Sequence, residues 1–344
     1  MKIVHIYYSL NYGGIESLLV NLTNWQVQNN QDVSLILINK QTEANLISFL
    51  NPKVNLIEIK RRIKSKGLFE LFKLNYKLIK NKFEIIHVHA AEIGNIILPF
   101  FYNKIVLHIH ATSAITNRKI SKFNKCIVIS NAVKNVLKKD YNINNTEIIY
   151  NGIDFKDFKK RSSNKLSNKI ICVGSLVNSV KNQKLIIEQF FKIKDIIESK
   201  LHIVGDGPDF CSLKKLIEKL NLNDRVILLG SKNQDWIKNS LKKYDLFIQA
   251  SKTEGLGIAA IESAAAMVPI LLSDIEGHLE VSDNGKYCEL FSLNDRDELS
   301  KKIIQFYNNP LKFFENAKTN ISFFENRFGF INFNEKIIKI YKSI

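Results

Sequence analysis

The sequence predicts an α/β fold made of two Rossmann-like domains, each built on a parallel sheet, and three observations carry that prediction. Short β-rich apolar runs alternate with helix-patterned stretches along the chain, the order that βαβ units produce. Several of the runs are apolar almost without a break, as strands covered on both faces are. The alternation pauses once, at 151–168, where charged, Ser- and Asn-rich residues replace apolar ones and predict a linker. A length of 344 residues suits two domains. Each can bury a core without disulfides or a metal.

Strands are expected at 2–8, 33–38, 54–59, 84–89, 105–110, 126–130 and 148–150 in the first half. In the second they are expected at 170–173, 201–204, 226–229, 246–250 and 269–273, and 332–344 reads as a terminal helix. Hydrophobic residues make up 45% and charged residues 24%, an ordinary balance for a globular protein. No apolar run reaches the roughly 18–20 residues of a membrane span. The opening stretch MKIVHIYYSLNYGG reads as a strand and turn rather than a signal peptide, so a cytoplasmic location is expected. Cys126, Cys172, Cys211 and Cys288 show no paired spacing, which predicts reduced thiols and neither a disulfide framework nor a zinc site. The net charge of +17 suits an anionic partner: nucleic acid, a membrane surface or a phosphorylated substrate.

The segment SKTEGLGIAAIESAAA, 251–266, follows the predicted strand LFIQA and opens a helix. Gly255 and Gly257 let backbone approach a ligand closely. The open amides of Gly257, Ile258 and Ala259 would then face an anion, as the first turn of a helix does. Glu254 in the turn and Glu262 in the helix can each accept hydrogen bonds from hydroxyls. By itself the pattern also fits a plain strand–turn–helix with a solvent-facing glutamate.

The spacing E-G-x-G-x-x-x-x-E, from Glu254 to Glu262, resembles the paired-glutamate motif of the retaining GT-B glycosyltransferases, in particular glycosyltransferase family four (glycosyl transferases group 1). Further matches follow in order along the chain: Gly13-Gly14-Ile15-Glu16 after the first strand, a strand ending in His110, and Tyr150-Asn151-Gly152-Ile153-Asp154. The second half adds Val173-Gly174-Ser175-Leu176 with Lys181-Asn182, Val204-Gly205-Asp206-Gly207-Pro208, and Pro269 with Ser273 and Asp274. The resemblance implies a GT-B fold, two Rossmann-like domains facing across a cleft. It implies an acceptor-side domain over 1–155 and a nucleotide-sugar domain over 156–330, with the helix 331–344 packing back on the first. The implied activity is a retaining, metal-independent hexosyl transfer from a nucleotide diphosphate sugar, most often a UDP-sugar, to an acceptor hydroxyl. Bacterial cell-surface polysaccharide synthesis (capsule, O-antigen or lipopolysaccharide) is the implied setting. No cofactor is expected beyond that co-substrate.

By the resemblance, Glu254 bonds the donor sugar, Glu262 the ribose, and Lys181 pairs with the diphosphate. Gly174, Ser175, Gly207, Gly255, Leu256, Gly257, Ile258 and Ala259 surround the phosphates, and Gly230 and Ser231 border the base. In the first domain Gly14 makes room for the phosphates and His110 lies beside the transferring sugar. His110, Glu254 and Lys181 form the catalytic set. Ser175 departs from the pattern: the family usually carries an arginine there, whose planar fork grips phosphate in two places where serine offers one hydroxyl.

His87 and His89 share one strand and His108 and His110 another, so each pair lies on one face. A metal site is the sharper reading of them and a structural role the plainer; no metal is expected. Asp295-Arg296-Asp297 has the spacing of an acidic metal motif but opens a late helix, where a cap is the simpler reading. The basic run 60–66 precedes 68–80, where Leu68, Phe69, Leu71, Phe72, Tyr76 and Ile79 interleave with Lys73, Lys77 and Lys80. Such a helix suits an anionic membrane surface and a lipid-linked or other glycan acceptor, and it equally suits a surface helix with its apolar face on the sheet. No nucleic-acid motif accompanies the charge, and nucleic acid is not an expected partner. A nucleotide-sugar epimerase of the same fold and a non-catalytic nucleotide-sugar-binding protein stay open as alternatives.

Overall fold

The computed structural model describes residues 1–11, 13–40, 46–61, 68–110, 118–295 and 297–344. It divides into two compact units, Met1–Gly152 with Ile331–Ile344, and Ile153–Phe330. The first holds β1 (Lys2–Tyr7), β2 (Asp32–Asn39), β3 (Asn55–Arg61), β4 (Ile85–Val88), β5 (Ile105–Ile109), β6 (Lys125–Val128) and β7 (Thr146–Ile148). They pair in the order β3-β2-β1-β4-β5-β6-β7, every pair parallel. The second unit holds β8 (Lys169–Val173), β9 (Lys200–Val204), β10 (Val226–Gly230), β11 (Leu246–Gln249), β12 (Ile270–Ser273) and β13 (Glu289–Phe291). Their order is β10-β9-β8-β11-β12-β13, again parallel throughout.

The strand runs explain the layering. Ile3, Val4, Leu35, Ile36, Ile86, Val106, Leu107 and Ile127 are fully buried although consecutive residues point to opposite faces, so both faces of the first sheet are covered. In the second unit, Ile170, Ile186, Ile187, Phe190, Leu201, Ile248 and Ile303 join one core between strands and helices. In both sheets the order reverses direction beside the first strand, at β1/β4 and at β8/β11. Open α/β sheets bind ligands outside the carboxyl ends of the strands at such a switch point.

Three expectations need correction. The expected linker at 151–168 is an ordered part of the second unit. Phe155 and Phe158 are buried, and the Ile153 amide donates to Phe328 O while Phe330 N donates back to Ile153 O. Arg161, side chain 5% exposed, pairs with Asp245 at 2.9 Å and donates to Tyr244 O, its guanidinium lying 4.3 Å from the Phe314 ring centroid. Polar composition here reflects specific bonds rather than solvation. The seventh strand lies two residues earlier than expected, at Thr146–Ile148, and the strand Glu289–Phe291 was not expected at all. It is a three-residue edge strand with a charged first residue, too short to show a period. The terminal helix runs over Phe330–Tyr341.

Candidate functional site

The turn after β11 carries a dense polar arrangement. Lys181 closes a one-turn helix, Asn178–Lys181, and the Lys252 amide donates to Val180 O at 2.7 Å. That backbone bond brings the end of this helix to the turn that holds Glu254. Lys181 Nζ forms an ion pair with Glu254 Oε1, with side chains 19% and 10% exposed. The same oxygen accepts from Gln249 Nε2 at 2.6 Å and from Ser251 Oγ at 2.8 Å. Three donors therefore hold one carboxylate oxygen, and Oε2 takes none of these bonds.

Gly257 follows at φ +74°, the left-handed conformation that a Cβ makes costly, and it caps the helix Ile258–Ala265. A Cβ there would also lie 3.2 Å from His278 Cδ2. The first turn of this helix has no intrahelical acceptors for its amides, so Ile258 and Ala259 present open N–H groups. One turn later Glu262 is buried and accepts from Gln234 Nε2 at 3.2 Å. Burial pushes its carboxyl up to about 7. Gly277 opens the helix Glu276–Ser282, and a Cβ on it would fall 2.7 Å from Glu254 O, so this glycine permits the close seating of the Glu254 turn.

The other predicted glycines fare differently. Gly174 N donates to Val204 O, and Leu176 N to Asp206 O, so these amides of the turn after β8 are engaged by backbone. Gly207 N donates to the Asp206 carboxylate at 2.7 Å, and a Cβ on Gly207 would lie 2.6 Å from Leu176 O. Gly205 is tighter, with Gly174 O at 1.9 Å from the Cβ it lacks. Gly174, Gly205 and Gly207 thus let two turns pack on one another, and the amides of Gly174 and Gly207 are engaged within the turns. Ser175 is exposed while its carbonyl accepts from Gln183 Nε2 at 2.8 Å. Gly230 holds φ +68° with nothing near its missing Cβ, and its carbonyl accepts from Gly205 N; Ser231 is exposed. Gly255 is half-buried and Leu256 fully buried beneath the turn.

In the first unit, Gly14 begins the helix Gly14–Gln28, and a Cβ on it would meet nothing within 4 Å among the described residues. His110 directly follows β5 and is buried. It belongs to a group of five buried histidines, with His5, His87, His89 and His108. Two triplets of them, His5–His87–His89 and His89–His108–His110, have ring nitrogens close enough to hold a metal ion. His5 was absent from the sequence reading because it stands alone in its strand. The pairing register, His5 opposite His87, is what joins it to the others. Burial holds His110 down to about 3 and His5 to about 4, so both rings are neutral at ordinary pH.

Gln249, Gln234 and His278 also escaped the sequence reading. Gln249 left a trace as the one polar residue in the otherwise apolar run LFIQ. His278 is fully buried, with Nδ1 at 3.0 Å from Ser273 O, and burial lowers it to about 4. Asp295 Oδ1 accepts from the Asp297 amide at 2.9 Å, so the acidic pair braces the start of the helix Glu298–Asn308; Arg296 lies outside the described residues. Positions 62–66 of the basic run also lie outside them.

Two parallel sheets with helices on both faces, a switch point in each, and a carboxylate–ammonium cluster ahead of an open helix start define a GT-B architecture. Solved structures agree: Anabaena HepE in complex with UDP-glucose superposes with a TM-score of 0.84 at 18% identity, covering 100% of both chains. The chain belongs to the family-four glycosyltransferases. The model "Glycosyltransferase Family 4" matches residues 12–157 and "Glycosyl transferases group 1" matches 154–322. Among curated relatives, N-acetyl-alpha-D-glucosaminyl L-malate synthase of Bacillus anthracis is 31% identical over 167 residues, 46% of this chain and 43% of that protein. The UDP-Gal:alpha-D-GlcNAc-diphosphoundecaprenol alpha-1,3-galactosyltransferase of Escherichia coli is 27% identical over 89% of this chain and 87% of its own length.

Proposed function

We propose that this glycosyltransferase moves a hexosyl group from a UDP-sugar to an acceptor hydroxyl, with retention and without a metal ion, in the assembly of a bacterial cell-surface polysaccharide. The observation that carries the reading is the Glu254 cluster: a carboxylate held by Lys181, Gln249 and Ser251, one residue-turn ahead of an open helix start. Glu254 accepts from the sugar hydroxyls through Oε2, the amides of Ile258 and Ala259 take a phosphate, and Glu262 accepts from the ribose. Lys181 serves both the carboxylate and the diphosphate. Gly230 and Ser231 border the base. Gly14, whose missing Cβ would meet nothing within 4 Å among the described residues, leaves room for phosphate, and His110 bonds the transferring sugar.

The chemistry then needs no protein nucleophile. The bond from the anomeric carbon to the diphosphate oxygen breaks, and its electron pair leaves with the nucleotide, stabilised by Lys181 and the helix amides. The acceptor oxygen bonds the anomeric carbon from the same face and passes its proton to a diphosphate oxygen. The Escherichia coli relative, named for a UDP-galactose donor and a diphosphoundecaprenol-linked acceptor, and the UDP-glucose in HepE support the choice of donor. A lipid-linked glycan is the proposed acceptor.

A panel of UDP-, GDP- and ADP-sugars tests this. Nucleotide release from a UDP-sugar that rises with added acceptor is expected. An isomerised donor without release would instead make the protein an epimerase, and binding without either would make it a sensor.

A further inference from the structure

Five of the seven histidines lie in one buried cluster on a single face of the first sheet, and hydrogen bonds join three of them, His5, His89 and His110, in a chain. We propose that Gln26, His5 and His89 act as a tautomer relay that keeps His110 Nδ1 unprotonated, as a lone-pair acceptor for a substrate hydroxyl. The last clause rests on the role of His110 proposed above; the relay itself does not.

The chain starts at the amide of Gln26, a buried residue of the helix Gly14–Gln28. Its Nε2 is 3.4 Å from Tyr341 Oη, and its Oε1 is 2.8 Å from His5 Nε2. Tyr341, brought over this face by the helix Phe330–Tyr341, sits 2.5 Å from His87 Nδ1. A tyrosine that donates to His87 receives from the Gln26 amide nitrogen, which orients the amide. An amide oxygen only accepts, so His5 carries its proton on Nε2. A neutral imidazole has one N–H, and His5 Nδ1 must therefore accept. The group facing it at 3.0 Å is His89 Nε2, which must donate. His89 Nδ1 is then an acceptor, and at 3.2 Å it meets His110 Nε2, which must donate in turn. His110 is left with a bare Nδ1, and that atom has no partner among the described residues.

The argument requires neutral rings, and the surroundings enforce neutrality. His5, His87 and His108 are 0% exposed, His89 3% and His110 8%. Burial is the main cause holding all five below their ordinary range, with neighbouring imidazoles adding to it for His87, His89 and His108. The sheet register makes the chain possible. His5 pairs with His87, and period two places His89 beyond His87 on the same face. Near-parallel rings, 27° between His5 and His89 and 16° between His89 and His110, suit edge-to-edge bonds rather than convergence on one ion. Fixing the tautomer matters because a hydroxyl whose proton is drawn to Nδ1 is held in one orientation, whereas an N–H there would seek its oxygen lone pair.

Nitrogen-15 histidine NMR of the full chain tests the relay, with resonances assigned through a His110→Ala variant. His5, His89 and His110 are each expected as the Nε2–H form, with a pyridine-type Nδ1. Gln26→Leu should turn His110 into a mixture of tautomers, while Gln26→Glu, which keeps an acceptor at the same place, should restore the single form. Should Gln26→Leu fail to fold, His5→Phe interrupts the relay one step further on and should give the same mixture. An Nδ1–H form of His110 in the wild type would overturn the relay, as would an unchanged tautomer in Gln26→Leu or His5→Phe, or a copurifying metal ion that removes these resonances. No sugar nucleotide enters the measurement, so a failed transfer assay and a failed relay are separate results.

Discussion

Lys181 stands alone where the family usually adds an arginine. In the proposed reaction Ser175 would offer the leaving diphosphate one hydroxyl, and the Gly174 and Leu176 amides beside it are already bonded to backbone. The Lys181 ammonium, paired with Glu254, is therefore the side-chain cation beside this turn on which the proposed mechanism relies. Lys181→Ala is expected to lower turnover by about 10²–10³, the cost of removing one preorganised donor from developing charge. Steady-state kinetics with a UDP-sugar check this, and a loss below about tenfold would remove Lys181 from the mechanism. Glu262 makes a second prediction. Its carboxyl is raised from 4.5 to about 7 by burial, so the fold favours the protonated form. Below 4.5 the folded and unfolded chains are both protonated and stability is unaffected. Between 4.5 and 7 only the unfolded chain ionises, and stability falls as pH rises through that window, by up to about 3 kcal/mol. Glu262→Gln keeps the acceptor for Gln234 and removes the titration. Its stability relative to wild type should grow between pH 4.5 and 7 and level off above. Urea unfolding across that range measures it, and a constant difference would show that Glu262 is not buried as described.

At the scale of elements, the segment 151–168 shows what composition conceals. Asp245 is fully buried and accepts from Arg161, from the Ser167 amide and hydroxyl, and from the Lys169 amide. Removing Arg161 leaves that carboxylate without its ion-pair partner inside the unit, so Arg161→Ala is expected to cost about 3–5 kcal/mol of unfolding free energy. Thermal or urea denaturation reads the loss; a change under about 1 kcal/mol would return the segment to the status of a linker. The strands that were legible in the sequence are those with long apolar runs, such as Val33 to Ile38 and Ile105 to Ile109, because burial on both faces leaves a continuous signature. The edge strand Glu289–Phe291 was not, since three residues carry no period. The site followed the same logic. Glu254, Gly257 and Glu262 lie within one turn and helix, and local spacing revealed them. Gln234, His278 and Gly277 reach the same place from other elements, and only the fold joins them. His5 and Gln26 are parallel cases in the first unit, joined to His89 by strand register and by a helix crossing the sheet.

At the scale of the whole molecule, the charge of +17 and one exposed apolar stripe point to the same surface. The helix Leu68–Asn81 turns Leu74 and Leu78 inward, where they are fully buried. Phe69, Phe72, Tyr76 and Ile79 lie on a second line along the same helix, at 75%, 70%, 50% and 51% exposure. Lys77 and Lys80 follow beside that line at helical spacing, while Lys73 donates to Ile59 O at 3.3 Å. The expectation of a single apolar face turned to the sheet therefore describes only half of this helix. Asn75 fastens the neighbouring ridge, receiving the Leu98 amide at 2.9 Å and donating to Ile96 O, and exposed Leu98 and Phe100 extend the apolar surface. No helix among the described residues is long and apolar enough to cross a membrane. A stripe of aromatic residues edged by lysines is instead the pattern of a helix lying in a bilayer interface. It would bring the first unit to a lipid-linked acceptor, and the lysines would add attraction to anionic headgroups. Binding to vesicles containing phosphatidylserine is therefore expected, weakening as salt rises. Phe69→Ser with Phe72→Ser should reduce the partition coefficient by about tenfold or more, because the two rings carry several kcal/mol of transferable apolar surface. Lys77→Glu with Lys80→Glu should weaken binding and flatten its salt dependence. Both variants keep the inward leucines, so circular dichroism and UDP affinity should match wild type. Cosedimentation that is equal for wild type and both variants would assign the stripe to another protein surface and leave the acceptor to arrive from solution.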